Sequence, residues 1–133
     1  GVSQIHAGTA VGKLSGTKRE VALLANVLRE QHVKAVPHIL LDQDWGRIKT
    51  AFPVSSGGLH PGLVPDVLGI YGCDLVLLVS GGIHGHPDGT RAGAVATMQA
   101  IEAWKEGVSL DEKAKSSREL ARALEKWGYM RPK

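Results

Sequence analysis

Two Ser-Gly-Gly turns, each followed by an aliphatic residue and a histidine, are the features of this sequence best suited to chemistry on a phosphate. They occupy residues 56–58 and 80–82, and the histidines are His60 and His84. Because glycine has no Cβ, backbone amides beside it can approach phosphate oxygens closely, and a helix that begins there adds partial positive charge. Either turn alone would indicate only a tight turn, whereas the pair predicts a phosphate site.

His84 and His86 form a His-x-His pair that could also chelate a metal ion. A zinc site needs several converging ligands, and no cysteine or acidic residue stands at a supporting spacing. We therefore predict no metal site in this chain. A phosphate cradle and a simple turn remain for residues 77–89, in which His86, just before Pro87, is expected to hold the turn by hydrogen bonding.

Lys13 lies in a glycine-spaced loop, residues 7–16, that has some likeness to a nucleotide-binding loop. A Walker motif has a longer spacing between its glycines and a Ser or Thr directly after the lysine. Here only residues 9–11 separate Gly8 from Gly12, and a leucine follows Lys13. The sequence therefore predicts a mobile lid that brings an ammonium group onto an anionic substrate, with an ordinary surface lysine as the alternative.

The elements that must position these residues alternate between extended and helical patterns. We predict a strand ending at His6, a helix over about 18–31, a strand over 52–55, a helix over 61–70, a buried strand over 74–79 and a helix over 90–104. Thr17 and Glu20 form a capping box at the start of the first helix. This order predicts an α/β fold with a parallel sheet. The two Ser-Gly-Gly turns are an internal repeat, offset by 24 residues, that is typical of adjacent units of a (β/α)-type barrel.

The segment 36–50 is less regular and is expected to mix a short extended piece with a turn. Asp42 and Asp44 could be read as paired carboxylates. Trp45 beside them favours a turn that packs the indole.

The C-terminal third is helical. The helix over 90–104 has one apolar face, formed by Ala94, Met98 and Ile101. A second capping box, Ser109 with Glu112, opens a terminal helix. The residues of that helix that can dock are Leu120, Leu124 and Trp127.

Composition narrows the class of protein. The chain has 133 residues, the size of one domain without an internal boundary, with 43% hydrophobic residues, 5% aromatic residues and 17 glycines, which favours α/β over an all-β sandwich. A net charge of +3 without a basic stripe does not indicate nucleic-acid binding. No apolar run is long enough for a membrane span. The single cysteine, Cys73, excludes a disulfide-stapled domain and fits a reducing cytoplasm.

Four motifs, in order and with matching gaps, resemble the C-terminal part of the large subunit of ribulose-1,5-bisphosphate carboxylase/oxygenase. They are HAGTAVGKLSG (6–16), QDW (43–45), PVSSGGLHPG (53–62) and GGIHGHPDGTRAGA (81–94). The residues of these motifs are more similar to the archaeal form of the enzyme than to the plant form. The resemblance implies that residues 1–133 are a fragment of a (β/α)8 TIM-type barrel, its sixth to eighth units with a C-terminal helix.

The resemblance also implies roles for individual residues. Lys13 matches the lysine of the mobile sixth loop, which stabilises the carboxylation transition state. His6 and Ser56 match residues that hold one phosphate of the substrate. The positions matching backbone contacts to the phosphates are Gly57, Gly58, Ser80 and Gly81, with Leu78 and Val79 as weaker candidates. Where the family has Gln-x-Gly-Gly-Gly, this chain has Leu-Val-Ser-Gly-Gly, so Ser80 adds a Cβ and Leu78 loses a polar side chain.

The expected function is that of the phosphate-binding and lid portion of a carboxylase, a lyase that adds CO2 to ribulose 1,5-bisphosphate, or O2 in a monooxygenase side reaction. The resemblance implies Mg²⁺ held by residues outside this chain, so the fragment alone is expected to be inactive. The implied partners are the bisphosphate, CO2, the rest of the large subunit, and further copies in a homodimer or higher oligomer, in the cytoplasm. Two alternatives are a carboxylase-like enolase or isomerase acting on a related phosphosugar, such as a methylthio-ribulose phosphate, and a non-catalytic phosphate-binding module.

Overall fold

The fold is a parallel three-stranded sheet with helices packed against it, in a computed structural model that describes residues 2–9, 11 and 17–129. In chain order the elements are β1 (Gln4–His6), α1 (Lys18–Arg29), β2 (His32–Val33), β3 (Gln43–Asp44), β4 (Phe52–Ser56), a 3-10 turn (Pro61–Leu63), α2 (Val64–Tyr71), β5 (Val76–Leu78), α3 (Gly81–His84), α4 (Thr90–Glu106), α5 (Leu110–Ala114) and α6 (Arg118–Trp127). The alternation of strands and helices predicted from the sequence is confirmed.

The sheet order is β1-β4-β5, and all neighbouring strands are parallel. The register pairs His6 with Val54, and Ser56 with Leu78. Since parallel strands run in the same direction, their carboxyl ends meet at one edge of the sheet, hereafter the carboxyl edge. The turns that follow β4 and β5 therefore leave the sheet side by side.

The capping box at the start of α1 is confirmed. Thr17 Oγ1 accepts a hydrogen bond from the Glu20 amide at 3.2 Å, and Glu20 Oε2 accepts one from the Thr17 amide at 2.7 Å. The second bond lowers the pKa of the Glu20 carboxyl below its ordinary value. α1 ends at Arg29, earlier than predicted, because the next residues form β2, which pairs with β3 in an antiparallel ribbon.

The core consists of two apolar clusters that meet at α2. The first cluster contains Ala7, Val11, Val21, Ala25, Leu59, Leu63, Val67 and Tyr71. The second contains Val64, Leu68, Ala100, Ala103, Leu110 and Leu120. Within α2, Val67 and Tyr71 share one face, and Val64 and Leu68 share another, as the helical repeat requires. This helix therefore fixes the segment between the two glycine turns against both halves of the core.

The predicted apolar face of α4 is wrong for two of its three residues. Ala94 is exposed, and Met98 is 56% exposed. The buried residues of α4 are instead Gly93, Ala96, Thr97, Ala100 and Ala103. Small side chains form this face because a Cβ at Gly93 would lie only 2.2 Å from the Ile83 carbonyl oxygen, so α4 must approach α3 closely. The sequence prediction considered only side-chain hydrophobicity and therefore chose the face that carries the larger apolar residues.

The terminal helix begins at the predicted cap but is broken in two, α5 and α6. Ser109 Oγ accepts a hydrogen bond from the Glu112 amide at 3.1 Å, and Leu120, Leu124 and Trp127 dock as predicted, Leu120 being fully buried. β5 is shorter and less buried than predicted, with Leu78 45% exposed at its end. No helix in the described part of the chain has the length and apolar character needed to cross a membrane.

The turn predicted around Asp42 and Asp44 is present, and the two carboxylates do not act as a pair. Asp44 Oδ1 accepts a hydrogen bond from the Gly46 amide at 2.8 Å, and Asp42 Oδ1 accepts one from the Ala35 amide at 3.3 Å. Asp44 thus stabilises its own turn, whereas Asp42 connects to the chain seven residues earlier. Trp45 remains partly exposed beside them.

Candidate phosphate-binding site

Two side chains predicted to bind phosphate touch each other at the carboxyl edge. His6 Nδ1 lies 2.8 Å from Ser56 Oγ, although the residues are 50 positions apart in the sequence. β1 and β4 are adjacent and parallel, and each of these residues is the last of its strand. Among the described residues His6 Nε2 has no hydrogen-bond partner. The pair therefore offers an imidazole nitrogen and a hydroxyl to a ligand at this edge.

The first glycine turn depends on left-handed backbone angles. Gly57 has φ of 107° and Gly58 has φ of 69°, values that residues with a Cβ rarely adopt. The turn takes the chain directly from β4 into the buried segment that contains Leu59. The Gly57 amide faces the Leu78 carbonyl across the β4–β5 ladder, because Ser56 pairs in register with Leu78. Within the described part of the chain the Gly58 amide donates to no backbone carbonyl and is available as a donor to an anion.

The second glycine turn has a different geometry, because it opens the single helical turn α3. Ser80 is the N-cap, and its carbonyl accepts hydrogen bonds from the amides of Ile83 and His84, both at 2.9 Å. The Ser80 side chain makes no capping bond. A Cβ built at Gly81 would meet no described atom within 4 Å. The sequence did not predict α3, since two consecutive glycines disfavour a helix.

The two turns pack directly against each other, as the repeat of Ser-Gly-Gly in the sequence predicted. A Cβ built at Gly82 would lie 2.4 Å from the Leu59 carbonyl oxygen and 2.5 Å from His60 Cα. Both turns also lack acidic residues, since no Asp or Glu occurs in 53–65 or 75–87. The carboxyl edge thus gathers free amides without a neighbouring carboxylate in either turn that would repel an anion.

The remaining predicted site residues lie at or beside this edge, with one exception. Leu78 ends β5 and pairs in register with Ser56. Val79 is half-buried and packs against the first cluster. Lys13, the predicted catalytic residue, lies outside the described residues.

Tyr71 anchors the start of the glycine-spaced loop, a role that sequence reasoning missed. Its phenol donates a hydrogen bond to the Gly8 carbonyl, and the residue is only 1% exposed. Burial raises the pKa of the Tyr71 phenol, an effect partly offset by the nearby Ser55 hydroxyl and Arg29 guanidinium. The phenol therefore stays protonated as a donor. Tyr71 ends α2, just beyond the predicted helix, and nothing in the sequence places it near Gly8.

His86 holds the turn after α3, as predicted. The Asp88 amide donates to His86 Nδ1 at 3.0 Å, and Nε2 lies 2.9 Å from the Glu119 carbonyl oxygen, so the neutral ring protonated at Nε2 makes both bonds. Neither nitrogen is left to ligate a metal ion. No group of three or more His, Cys, Asp or Glu side chains suited to a metal occurs in the described ranges. Since Mg²⁺ prefers clustered carboxylate oxygens, these residues do not fit that ion.

Comparisons with known proteins point to one family. A family model described as ribulose bisphosphate carboxylase large chain, catalytic domain, matches residues 1–127. The ribulose bisphosphate carboxylase of Pyrococcus furiosus is 53% identical over 133 residues, which cover 100% of this chain and 29% of that protein.

Solved structures give the same result at the level of the fold. A dimeric archaeal Rubisco from Hyperthermus butylicus has a TM-score of 0.87 at 48% identity, covering 98% of this chain and 30% of that one. An octameric ribulose-1,5-bisphosphate carboxylase/oxygenase from Pyrococcus horikoshii has a TM-score of 0.77 at 48% identity, covering 96% of this chain and 28% of that one. The chain spans less than a third of the length of these relatives. Since the family model matches nearly all of the sequence, the chain belongs to the ribulose bisphosphate carboxylase large-chain family, within its catalytic domain.

Proposed function

We propose that this chain is the phosphate-binding and lid portion of an enzyme that adds CO2, or O2 as a side reaction, to ribulose 1,5-bisphosphate. The observation that carries the proposal is the contact of His6 with Ser56 beside the unpaired amides of the two glycine turns. A phosphate dianion needs several converging donors and no nearby carboxylate. The carboxyl edge supplies both within one chain of the carboxylase family.

The sheet supports a place for these elements within a barrel. Three parallel strands with helices between them form an open sheet, and both β1 and β5 have a free edge within the described chain. Further strands of a longer chain would pair along those edges, because unpaired strand edges are unfavourable. We assign the strands β1, β4 and β5 to the sixth, seventh and eighth units of a (β/α)8 barrel, all within one domain that spans residues 1–133. Substrate sites of such barrels lie at the carboxyl ends of the strands.

In the proposed reaction the electron pair of the substrate's enediolate forms a bond to the carbon of CO2. One electron pair of CO2 moves onto oxygen, so a carboxylate develops. The Lys13 ammonium would stabilise that negative charge when the lid closes. His6, Ser56 and the turn amides would hold the phosphates and so fix the reacting carbon. No step is assigned to Mg²⁺ here, since its ligands are expected outside this chain.

The proposal extends to assembly and location. Relatives of known structure are dimeric or octameric, as their descriptions state, and we propose a homodimer or higher oligomer for the full protein. We propose a cytoplasmic location, consistent with the single, exposed Cys73.

The first test uses the full-length protein that contains this sequence. Incorporation of labelled CO2 that depends on ribulose 1,5-bisphosphate is expected. Lys13→Ala is expected to abolish it while leaving bisphosphate binding partly intact. Absence of CO2 fixation by the unaltered protein would contradict the proposal, and unchanged turnover in the variant would remove Lys13 from the reaction.

Ser56→Ala, with Ser55→Ala as its matched control, tests the phosphate site itself. Losing a hydrogen bond to a charged group costs about 1.5–3 kcal/mol, so Ser56→Ala should raise KM for the bisphosphate about tenfold or more. Ser55 lies on the opposite face of β4, fully buried beside Tyr71, and its substitution should leave KM unchanged. An equal rise in KM for both variants would show that Ser56 has no specific role.

One observation favours a second candidate, an enolase or isomerase acting on a related phosphosugar. Leu78 and Ser80 occupy positions where the family resemblance leads us to expect a polar side chain and a glycine, and both are exposed at the carboxyl edge. Assaying the same protein with a methylthio-ribulose phosphate distinguishes the two reactions. Isomerisation without CO2 incorporation would favour this candidate.

A further inference from the structure

One indole, that of Trp127 at the end of α6, contacts the segments that follow both glycine turns. Its ring stacks on His60 with centroids 5.7 Å apart and an interplanar angle of 15°. Its centroid lies 6.4 Å from that of His86, with the rings tilted by 59°. The two histidines are 5% and 4% exposed, so these are interior contacts. A side chain far along the sequence thus contacts the segments that follow both glycine turns of the candidate site.

The residues on either side of Trp127 also contact both segments, Gly128 through its backbone and Lys126 through its side chain. A Cβ at Gly62 would lie 2.0 Å from the Gly128 carbonyl oxygen, so only glycine fits there. On the other side, Lys126 Nζ donates to the Gly85 carbonyl at 2.5 Å and lies 5.2 Å from the centre of the Trp127 ring. The C-terminal end of α6 therefore packs against the segment that follows each glycine turn.

α6 is itself held firmly, which a positioning element requires. The Leu120 amide donates to Gln99 Oε1 at 2.9 Å, and Gln99 Nε2 donates to Glu119 Oε2 at 2.9 Å. Leu120 is fully buried, and the Glu119 carbonyl is the acceptor opposite His86. These contacts fix the helix to α4 and to the second turn independently of Trp127.

We propose that Trp127 is a positioning residue that sets the spacing between the two glycine turns and thereby the affinity for the bisphosphate. The amides of Gly58, Ser80 and Gly81 have no backbone acceptor in the described chain, so their positions depend on the residues packed against the turns. A binding site that is already held rigid loses less conformational entropy when a ligand binds, so its affinity for the ligand is higher. The identity of the bound substrate rests on the proposed function. The role of Trp127 in spacing the two turns rests on geometry alone.

The experiment compares Trp127→Ala, Trp127→Leu and Trp127→Phe in the full-length protein, with Trp104→Ala as the matched control. Trp104 is a half-buried indole on α4 that packs against the second cluster. Trp127→Ala should raise KM for ribulose 1,5-bisphosphate about tenfold, as expected when binding groups shift by a fraction of an ångström, and change kcat by less than about threefold. Trp127→Phe keeps a stacking ring and should restore KM to within about twofold.

Amide hydrogen exchange of peptides covering 57–62 and 80–86 supplies a second measurement that does not need activity. Exchange should accelerate in Trp127→Ala, or in Trp127→Leu if the alanine variant does not fold, and stay unchanged in Trp104→Ala. Unchanged exchange in the Trp127 variants, or an equal rise in KM for Trp104→Ala, would overturn the inference. If the unaltered protein fixes no CO2, the proposed function is wrong. The amide exchange rates alone then decide whether Trp127 sets the spacing between the two turns.

Discussion

The two Ser-Gly-Gly turns have the same sequence but use their glycines for different reasons. In the first turn, Gly57 and Gly58 both adopt left-handed φ angles, which a Cβ would strain. In the second turn neither glycine has a positive φ. There Gly82 is required by space, because it packs under the first turn against Leu59. An internal sequence repeat therefore does not imply a repeated local structure.

Gly81 differs from the other three glycines because neither backbone angle nor packing requires it. Its φ is not positive, and a Cβ there would meet no described atom within 4 Å. A glycine without a structural reason at a site edge is expected where another molecule approaches the backbone. Gly81 is therefore the position at which a substitution can test phosphate binding without disturbing the packing of the described residues.

The largest expected effect is that of Gly82→Ala. Its Cβ would lie 2.4 Å from the Leu59 carbonyl oxygen, and backbone must move to relieve the overlap. We expect a loss of about 3 kcal/mol in the free energy of unfolding, the upper range for overpacking, measured by denaturant titration. Gly81→Ala, one residue earlier, is the control. Equal stability of the two variants would show that the turns are not packed as described.

Gly58→Ala should have the next largest effect, through backbone strain alone. Holding alanine at φ of 69° costs about 1–2 kcal/mol. Asparagine tolerates the left-handed region better, so Gly58→Asn should recover part of the loss. Thermal unfolding of both variants provides the measurement, and an equal loss in the two would point to a steric rather than a conformational cause.

Local signals in the sequence predicted much of this fold. The hydroxyl and carboxylate of Thr17 and Glu20 satisfy helix amides within one turn, so their pairing needs no tertiary information. The end of β1 at His6 and the phosphate-site candidates followed from glycine spacing and from the family resemblance. The capping box and the end of β1 are properties of short segments and are confirmed, whereas the phosphate-site candidates stay predictions.

Features that depend on packing between distant segments were missed. The buried face of α4 is set by close approach at Gly93 rather than by side-chain hydrophobicity. The phenol of Tyr71 reaches Gly8, 63 positions away, and Trp127 reaches His60. No local pattern encodes such contacts, since each depends on how α2 and α6 cross the sheet.

Gly81→Ala should separate binding from stability. Because its Cβ meets no described atom, the free energy of unfolding should change by less than about 0.5 kcal/mol. A methyl group in the path of a phosphate should cost about 1 kcal/mol of binding, a rise in KM for ribulose 1,5-bisphosphate of about fivefold. Steady-state kinetics and denaturant titration on the same preparation check both parts. A variant with unchanged KM would leave Gly81 without a role in binding.

Ser80→Gly is expected to have the smallest effect, and it sharpens the contrast between the turns. Ser80 has a negative φ, is exposed and makes no side-chain capping bond, so replacing it by glycine should cost only a few tenths of a kcal/mol in stability. Its Cβ stands where the family resemblance leads us to expect none. If the Cβ crowds the ligand, its removal should lower KM about twofold, a difference of about 0.4 kcal/mol that replicate kinetics can resolve. A higher KM would mean instead that the Ser80 hydroxyl is itself a donor to the phosphate, and that the second turn binds through a side chain as the first does through Ser56.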